Sequence, residues 1–277
     1  MEFGDLFSKS WKEYKQNFGV ILKIFLVLSL IPGIIFSFLL IVFGPGTNEV
    51  TTWSEIVIYL PLVLIGGLIL VLLSFIMSLL YTYLSLHGKK NMGFGEALKG
   101  GLGYFWKFLL LTLLLFAIFV LFFLPTIIFS ILIYINIYFI LPAIIFFLIG
   151  FVFVSKYYVS WIFAPYVLIK ENIGPWESMK KSKLLVKGKW WGTFGYLILL
   201  GIIMWAISIP FGLPAFIYNL VNMFSSESIS SGYAIGSFIV ETIASLSALI
   251  ITALSILFVK NFYLDRKGGK KVVGKKK

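Results

Sequence analysis

The chain has 277 residues, of which 60% are hydrophobic and only 12% charged, with a net charge of +12. A mean hydropathy of +1.03 excludes a soluble domain built on one aqueous core, because lipid has to cover so much apolar surface. Cysteine is absent and His87 is the only histidine, which excludes a disulfide framework, a thiolate nucleophile and a multi-histidine metal site.

Residues 2–18 predict a short amphipathic helix. At 100° per residue Phe3, Leu6, Phe7, Ser10, Trp11, Tyr14 and Phe18 share one face, while Glu2, Asp5, Lys9, Lys12, Glu13, Lys15 and Gln16 share the other. Both signs of charge occur here and the apolar run that follows is too long for a signal-peptide core, so that run reads as a retained first span. Apolar segments then follow over roughly 19–43, 56–86, 108–131, 137–169, 191–222 and 235–264, each longer than the ~20 residues that cross a bilayer. The uncharged stretch from Phe108 to Ser155 is too long for one span, and Asn136, its most polar position, puts a tight turn near Ser130–Asn136.

The basic residues fix an orientation. Lys9, Lys12 and Lys15 precede span one, and Lys89, Lys90, Lys99 and Lys107 follow span two. Lys170, Lys180, Lys181, Lys183, Lys187 and Lys189 follow span four, and the tail carries Arg266, Lys267, Lys270, Lys271, Lys275, Lys276 and Lys277. Together these are 20 of the 23 basic residues. The loops 44–55 and 223–234 hold none, only Glu49, Glu55 and Glu227. With six spans all four basic segments share a side, and the positive-inside rule makes it cytoplasmic, with both termini there in a cell-membrane protein. Lys23, Lys156 and Lys260 lie nearer the cytoplasmic ends of their spans, where their stems can snorkel.

The segments read as three copies of one unit, a short cytoplasmic helix followed by two spans. An offset of 172 relates Lys9-Ser10 to Lys181-Ser182, Lys15 to Lys187 and Phe18 to Trp190. An offset of 81 relates Pro61, Lys89, Asn91 and Gly93 to Pro142, Lys170, Asn172 and Gly174. An offset of 181 relates Gly88-Lys89-Lys90 to Gly269-Lys270-Lys271. The fold class is therefore an all-α membrane bundle of about six transmembrane helices in three parallel repeats, related by an axis along the membrane normal. The repeats cover 1–90, 91–171 and 172–264 of a single membrane domain, with a basic tail at 265–277. In the second short helix Phe94, Ala97, Leu98, Gly101, Leu102 and Phe105 form the apolar face; in the third Trp176, Met179, Val186 and Trp190 align but Lys183 interrupts. Ser10, Gly101 and Ser182 occupy one small position across the copies, where backbones can approach closely.

Two readings of the short basic helices stand side by side. They are collars packed on the spans, or they form a platform for anionic headgroups, which basic clusters near a membrane attract by ~1 kcal/mol per charge. The candidate lipid contacts are Lys89, Lys90, Lys180, Lys181, Lys183, Lys187, Lys189, Lys270 and Lys271. Lys156, the deepest basic residue, is a candidate intramembrane polar site, set against a position near the headgroups. Pro32, Pro125 and Pro210 kink the first span of each repeat or are ordinary packing, and Glu241 sits near the outer end of span six. Ser74, Ser78, Thr82, Ser245, Ser247, Thr252 and Ser255 place hydroxyls in spans two and six for bonds across helices. His87 is expected to be exposed, and Trp11, Trp53, Trp106, Trp161, Trp176, Trp190 and Trp191 fall at interfaces. The tail has no aromatic residues for base stacking, so nucleic acid is not expected.

The run Ser160-Trp-Ile-Phe-Ala-Pro-Tyr-Val-Leu-Ile-Lys-Glu-Asn-Ile-Gly-Pro-Trp-Glu-Ser-Met-Lys-Lys-Ser182, with Lys187-Gly188-Lys189-Trp190-Trp191, resembles the membrane domain of glycerophosphoryl diester phosphodiesterases and related uncharacterised prokaryotic multi-pass membrane proteins. The opening Phe7-Ser-Lys-Ser-Trp-Lys-Glu-Tyr-Lys-Gln-Asn-Phe18 is similar to the start of such domains. In that family hydrolysis belongs to a separate soluble barrel, so the resemblance implies a stand-alone membrane module and carries over no catalytic residue. The expectation is a non-enzymatic multi-pass protein without a cofactor, a lipid-contacting or scaffold module at the cytoplasmic leaflet whose partners are the lipid bilayer with its anionic phospholipid or an unidentified protein. The alternative is a small transporter or channel with a cavity between the repeats, lined by hydroxyls of spans two, four and six and by Lys156. An intramembrane enzyme ranks third, because the charges are too few and too scattered to converge at depth.

Overall fold

The structure, a computed structural model, describes residues 1–43, 53–88, 92–224 and 231–274. Among these residues there are helices and turns and no strand. A lipid-facing chain has no water to satisfy its peptide groups, and the helix satisfies each of them within its own segment. Among the described residues six helical stretches are long and apolar enough to cross a membrane: Phe18–Val42, Leu60–His87, Phe105–Leu132, Ile137–Glu171, Trp190–Val221 and Gly236–Gly268. At most 28% of the most apolar window of any of them is buried inside the protein. The rest of that surface requires hydrocarbon, and the chain is a multi-pass membrane protein.

The helices are α1 (Phe3–Gln16), α2 (Phe18–Phe25), α3 (Ile31–Phe43), α4 (Trp53–His87), α5 (Phe94–Leu102), α6 (Phe105–Leu132), α7 (Ile140–Trp161), α8 (Ala164–Glu171), α9 (Pro175–Val186), α10 (Trp190–Phe224), α11 (Ser231–Ser245) and α12 (Ser247–Gly274). The turn expected around Asn136 is present: α6 ends at Leu132, and the Asn136 side chain accepts a hydrogen bond from the Tyr138 N–H at 3.0 Å. Pro61, Pro125, Pro210 and Pro214 sit inside helices that run on through them. Three spans do break. A π-helical turn at Leu26–Leu30 joins α2 to α3, and the Ile31 N–H reaches back to the Leu26 carbonyl. Pro32, one residue further on, has no N–H for the Leu28 carbonyl, so the α ladder is interrupted there in any case. Span four breaks between α7 and α8, where Pro165 stands in the first turn of α8. Span six breaks at Leu246, whose N–H bonds to the carbonyl of Ile243 instead of continuing the four-residue pattern.

The chain divides into two compact units. Unit 1 comprises Met1–Leu102 and Ile198–Phe258; unit 2 comprises Gly103–Leu197 and Val259–Lys277. These limits fall inside the expected repeats. In unit 1, α1 buries Leu6, Ser10 and Tyr14 and leaves Asp5, Lys9, Lys12 and Lys15 exposed. Phe3 meets Phe258 at 5.0 Å, so the apolar face packs on protein, while Trp11 and Phe18 at its edges remain exposed. Ala97 and Gly101 of α5 are buried against α4, where a Cβ on Gly101 would stand 2.5 Å from Leu80 Cδ2. The Tyr81 hydroxyl donates to the Ile21 carbonyl at 3.0 Å. His87 stacks on Tyr83 at 4.7 Å and is half-buried, a correction to its expected exposure: the imidazole shields its apolar ring edge on the last turn of α4.

Unit 2 centres on the α6–α7 hairpin and on an aromatic cluster. Phe122 stacks on Phe153 at 5.4 Å and Phe129 on Phe146 at 5.2 Å. Gly150 permits that approach, since a Cβ there would lie 2.9 Å from the Phe122 carbonyl. Phe163, Phe262 and Tyr263 are fully buried, with Phe163 edge-on to Phe262 at 5.4 Å. Lys260 was expected to snorkel, but it is 4% exposed and its Nζ donates to the Asn261 Oδ1 at 3.0 Å. A side-chain amide beside the ammonium satisfies a donor that α12 cannot bring to the surface.

Candidate functional site

The third short helix, α9, carries the densest run of candidate residues, and its ends explain its position. Gly174 enters in an extended conformation, Pro175 takes the first helical place and Glu177 lies in the first turn, where a negative charge suits the helix dipole. At the other end Gly188 adopts φ +79°, a left-handed conformation that lets the chain turn sharply into α10. The buried face is Ser178, Met179, Ser182 and Val186. Trp176, expected on that face, is instead exposed, with the Lys180 ammonium 5.5 Å from its ring centre.

Ser182 closes the break in span four. Its hydroxyl donates to the Ser160 carbonyl at 2.9 Å and accepts from the Phe163 N–H at 3.2 Å. Both backbone groups lost their helical partners where α7 stops, and a fully buried serine replaces them. The end of α8 is held as well. Asn172 takes a left-handed conformation, and its carbonyl and side-chain oxygens accept from Lys107 Nζ at 3.1 and 2.8 Å. Glu171 is clasped between Lys181 at 2.8 Å and Lys267 at 2.7 Å.

With α9 fixed in this way, one flank of it lines a groove of about 460 Å³. The lining is Ser160, Lys180, Lys183, Leu184, Val186, Lys187 and Trp190. Lys180, Lys183, Leu184 and Lys187 follow the spacing i, i+3, i+4, i+7, which is one stripe of a helix. That spacing is visible in the sequence and was the missed signal, because Lys183 looked like an interruption of the apolar face when it belongs to a separate polar one. Trp190 closes the end, its indole N–H donating to the Lys156 carbonyl at 3.2 Å and its ring stacked on Phe194 at 5.0 Å. The groove joins an apolar wall to three lysine side chains, the ammonium of Lys180 lying over Trp176.

The structure therefore sorts the candidate lysines. Lys180, Lys183 and Lys187 converge on the groove, Lys181 points to Glu171, and Lys189 is exposed outside the lining. Lys156 is exposed on α7 and joins the groove only through its carbonyl. Lys89 and Lys90 lie outside the described residues, as do the side chains of Lys270 and Lys271. Of the hydroxyls expected to bond across helices, Thr82, Ser245 and Ser247 donate to carbonyls of their own helix or of the turn just before it. The reason is local: a carbonyl three or four residues back is always in reach of a helical Ser or Thr.

A second cavity, of about 290 Å³, lies within unit 1. Ser74 and Ser245 contribute to it, as do Ser29 and Ser37 of span one. Its lining comes from spans one, two and six, and span four and Lys156 take no part among the described residues. No curated protein and no solved structure matches the chain. Residues 46–265 match the family described as Domain of unknown function (DUF8558), and the chain belongs to that family.

Proposed function

We propose that this chain is a non-enzymatic multi-pass protein of the cell membrane that holds an anionic phospholipid at the cytoplasmic leaflet, in the α9 groove. One observation carries the reading: Lys180, Lys183 and Lys187 line a single groove whose remaining wall is Ser160, Leu184, Val186 and Trp190. A phosphate headgroup at the rim of the groove gains ~1 kcal/mol from each lysine it meets, and the glycerol and first methylenes cover the apolar wall. The 20 clustered basic residues set this face, and both termini, in the cytoplasm. Three two-span repeats, each entered by an amphipathic collar, give the module its plan, and the buried Ser10, Gly101 and Ser182 support that plan. The resemblance to the membrane domain of glycerophosphoryl diester phosphodiesterases agrees with a module that works beside phospholipid headgroups.

The test is native mass spectrometry of the full chain extracted from membranes. The unmodified protein retains an anionic phospholipid, and a Lys183→Glu/Lys187→Glu variant retains it at least about thirtyfold more weakly, in line with the loss of two charges at ~1 kcal/mol each. Equal retention by the two proteins, or equal retention of neutral and anionic lipids, overturns the reading.

A further inference from the structure

We propose that the cavity of unit 1 is a binding site for a small organic ammonium ion, with Glu241 as its counter-charge. Glu241 lies five residues inside the apolar stretch that begins at Gly236, and among the described residues that line the cavity none is basic. Glu241 is exposed near the outer end of its span, and it gives the cavity a negative charge that no basic residue among the described lining offsets. The rest of the polar lining is built from oxygen: Ser29, Ser37 and Ser74 face the same space as Thr242 and Ser245.

Two of these hydroxyls have their protons committed. Thr242 donates to the Phe238 carbonyl at 2.8 Å and Ser245 to the Thr242 carbonyl at 2.7 Å. Each therefore offers only lone pairs to anything in the cavity, as the carboxylate does. An acceptor-rich lining selects a ligand that donates, and the charge of Glu241 selects a cation. Size then decides between ions. A volume of about 290 Å³ is several times the ~30 Å³ share of one water, which leaves room for an ion that carries a short carbon chain. An ammonium group on a short carbon chain fills both parts, with its N–H donors on the oxygens and its methylenes against Leu28, Ile34 and Leu70.

The backbone supports the same location. The π-helical turn at Leu26–Leu30 supplies Leu28, Ser29 and Leu30 to the lining, and the break at Leu246 immediately follows Ser245. Two of the three spans around the cavity thus leave α geometry at its wall, a departure that clusters at functional sites in membrane helices. This site is independent of the lysine groove, which lies in the other unit.

The experiment uses the full chain in nanodiscs of zwitterionic lipid and follows Tm against added salt at constant ionic strength. Ethylammonium chloride raises Tm in a saturable manner, whereas sodium chloride, potassium chloride and sodium propionate do not. Glu241→Gln weakens the apparent affinity by about tenfold or more, the scale of a lost charge-assisted hydrogen bond. Thr242→Val, which keeps the shape and loses the acceptor, weakens it by about three- to tenfold and covers the case in which the first variant fails to fold. Lys183→Glu/Lys187→Glu leaves it unchanged, which separates this site from the groove. No saturable response to ethylammonium, an equal response to sodium or potassium, or unaltered affinity in both cavity variants overturns the proposal.

Discussion

Ser182 shows how much one side chain contributes when it serves backbone groups that have no other partner. Ser182→Ala leaves the Phe163 N–H and the Ser160 carbonyl without the hydroxyl that pairs them, in a position with no access to solvent. The expected loss is about 1–3 kcal/mol of stability, read as a lower Tm or denaturation midpoint in detergent. Gly188 contributes through its backbone alone. At φ +79° an L side chain is disfavoured, so Gly188→Ala costs about 1 kcal/mol in the same measurement, although nothing stands within 4 Å of its Cβ position. Neighbouring lysines differ in the same residue-specific manner. Lys181 is engaged with Glu171, whereas Lys183, two residues on, faces the groove. Lys181→Ala is expected to leave lipid retention unchanged and to cost less than about 1 kcal/mol of stability, since the pair is partly exposed. Lys183→Ala is expected to lower retention and leave stability unchanged. The opposite assignment in native mass spectra and melting curves would show that the groove has been misplaced.

At the scale of the element, the spans were legible because bilayer thickness imposes a length and composition that nothing else in the chain imitates. The stretch expected over 191–222 is Trp190–Val221, and that over 108–131 is Phe105–Leu132. The breaks within spans were less legible. Hydrogen-bond register leaves no hydropathy signature in a segment that is apolar throughout, and Pro125 and Pro210 show that a proline does not by itself end a membrane helix. Pro165 did mark the start of α8, but a motif inside an uninterrupted apolar run reads as part of the span. The groove was half legible: residue type nominated the lysines, and only packing showed which side of α9 is buried. The cavity of unit 1 was not legible, because Ser29, Ser37, Ser74 and Glu241 come from three spans and meet through tertiary structure alone. Where α5 crosses α4 a small residue sets the spacing. Gly101→Leu places a branched side chain against the fully buried Leu80 and is expected to cost at least about 1–3 kcal/mol, seen as a lower Tm with secondary structure retained.

For the whole molecule, the absence of cysteine makes the proposed orientation directly testable. Single replacements Lys9→Cys and Lys183→Cys are expected to react with a membrane-impermeant maleimide only after the cytoplasmic face is opened. Glu49→Cys and Glu227→Cys are expected to react in intact cells. A reversed pattern would place the groove on the other leaflet and remove the lipid proposed for it. The Ser182 bridge also bears on how the protein is made. Its partners precede it by 19 and 22 residues, so span four leaves the insertion machinery with a donor and an acceptor exposed at its kink. They are met only when α9 has been synthesised and folded back. Maturation of this span is therefore tied to translation of the segment after it, and a chain halted before residue 182 presents an unfinished hinge to the quality-control proteases of the membrane.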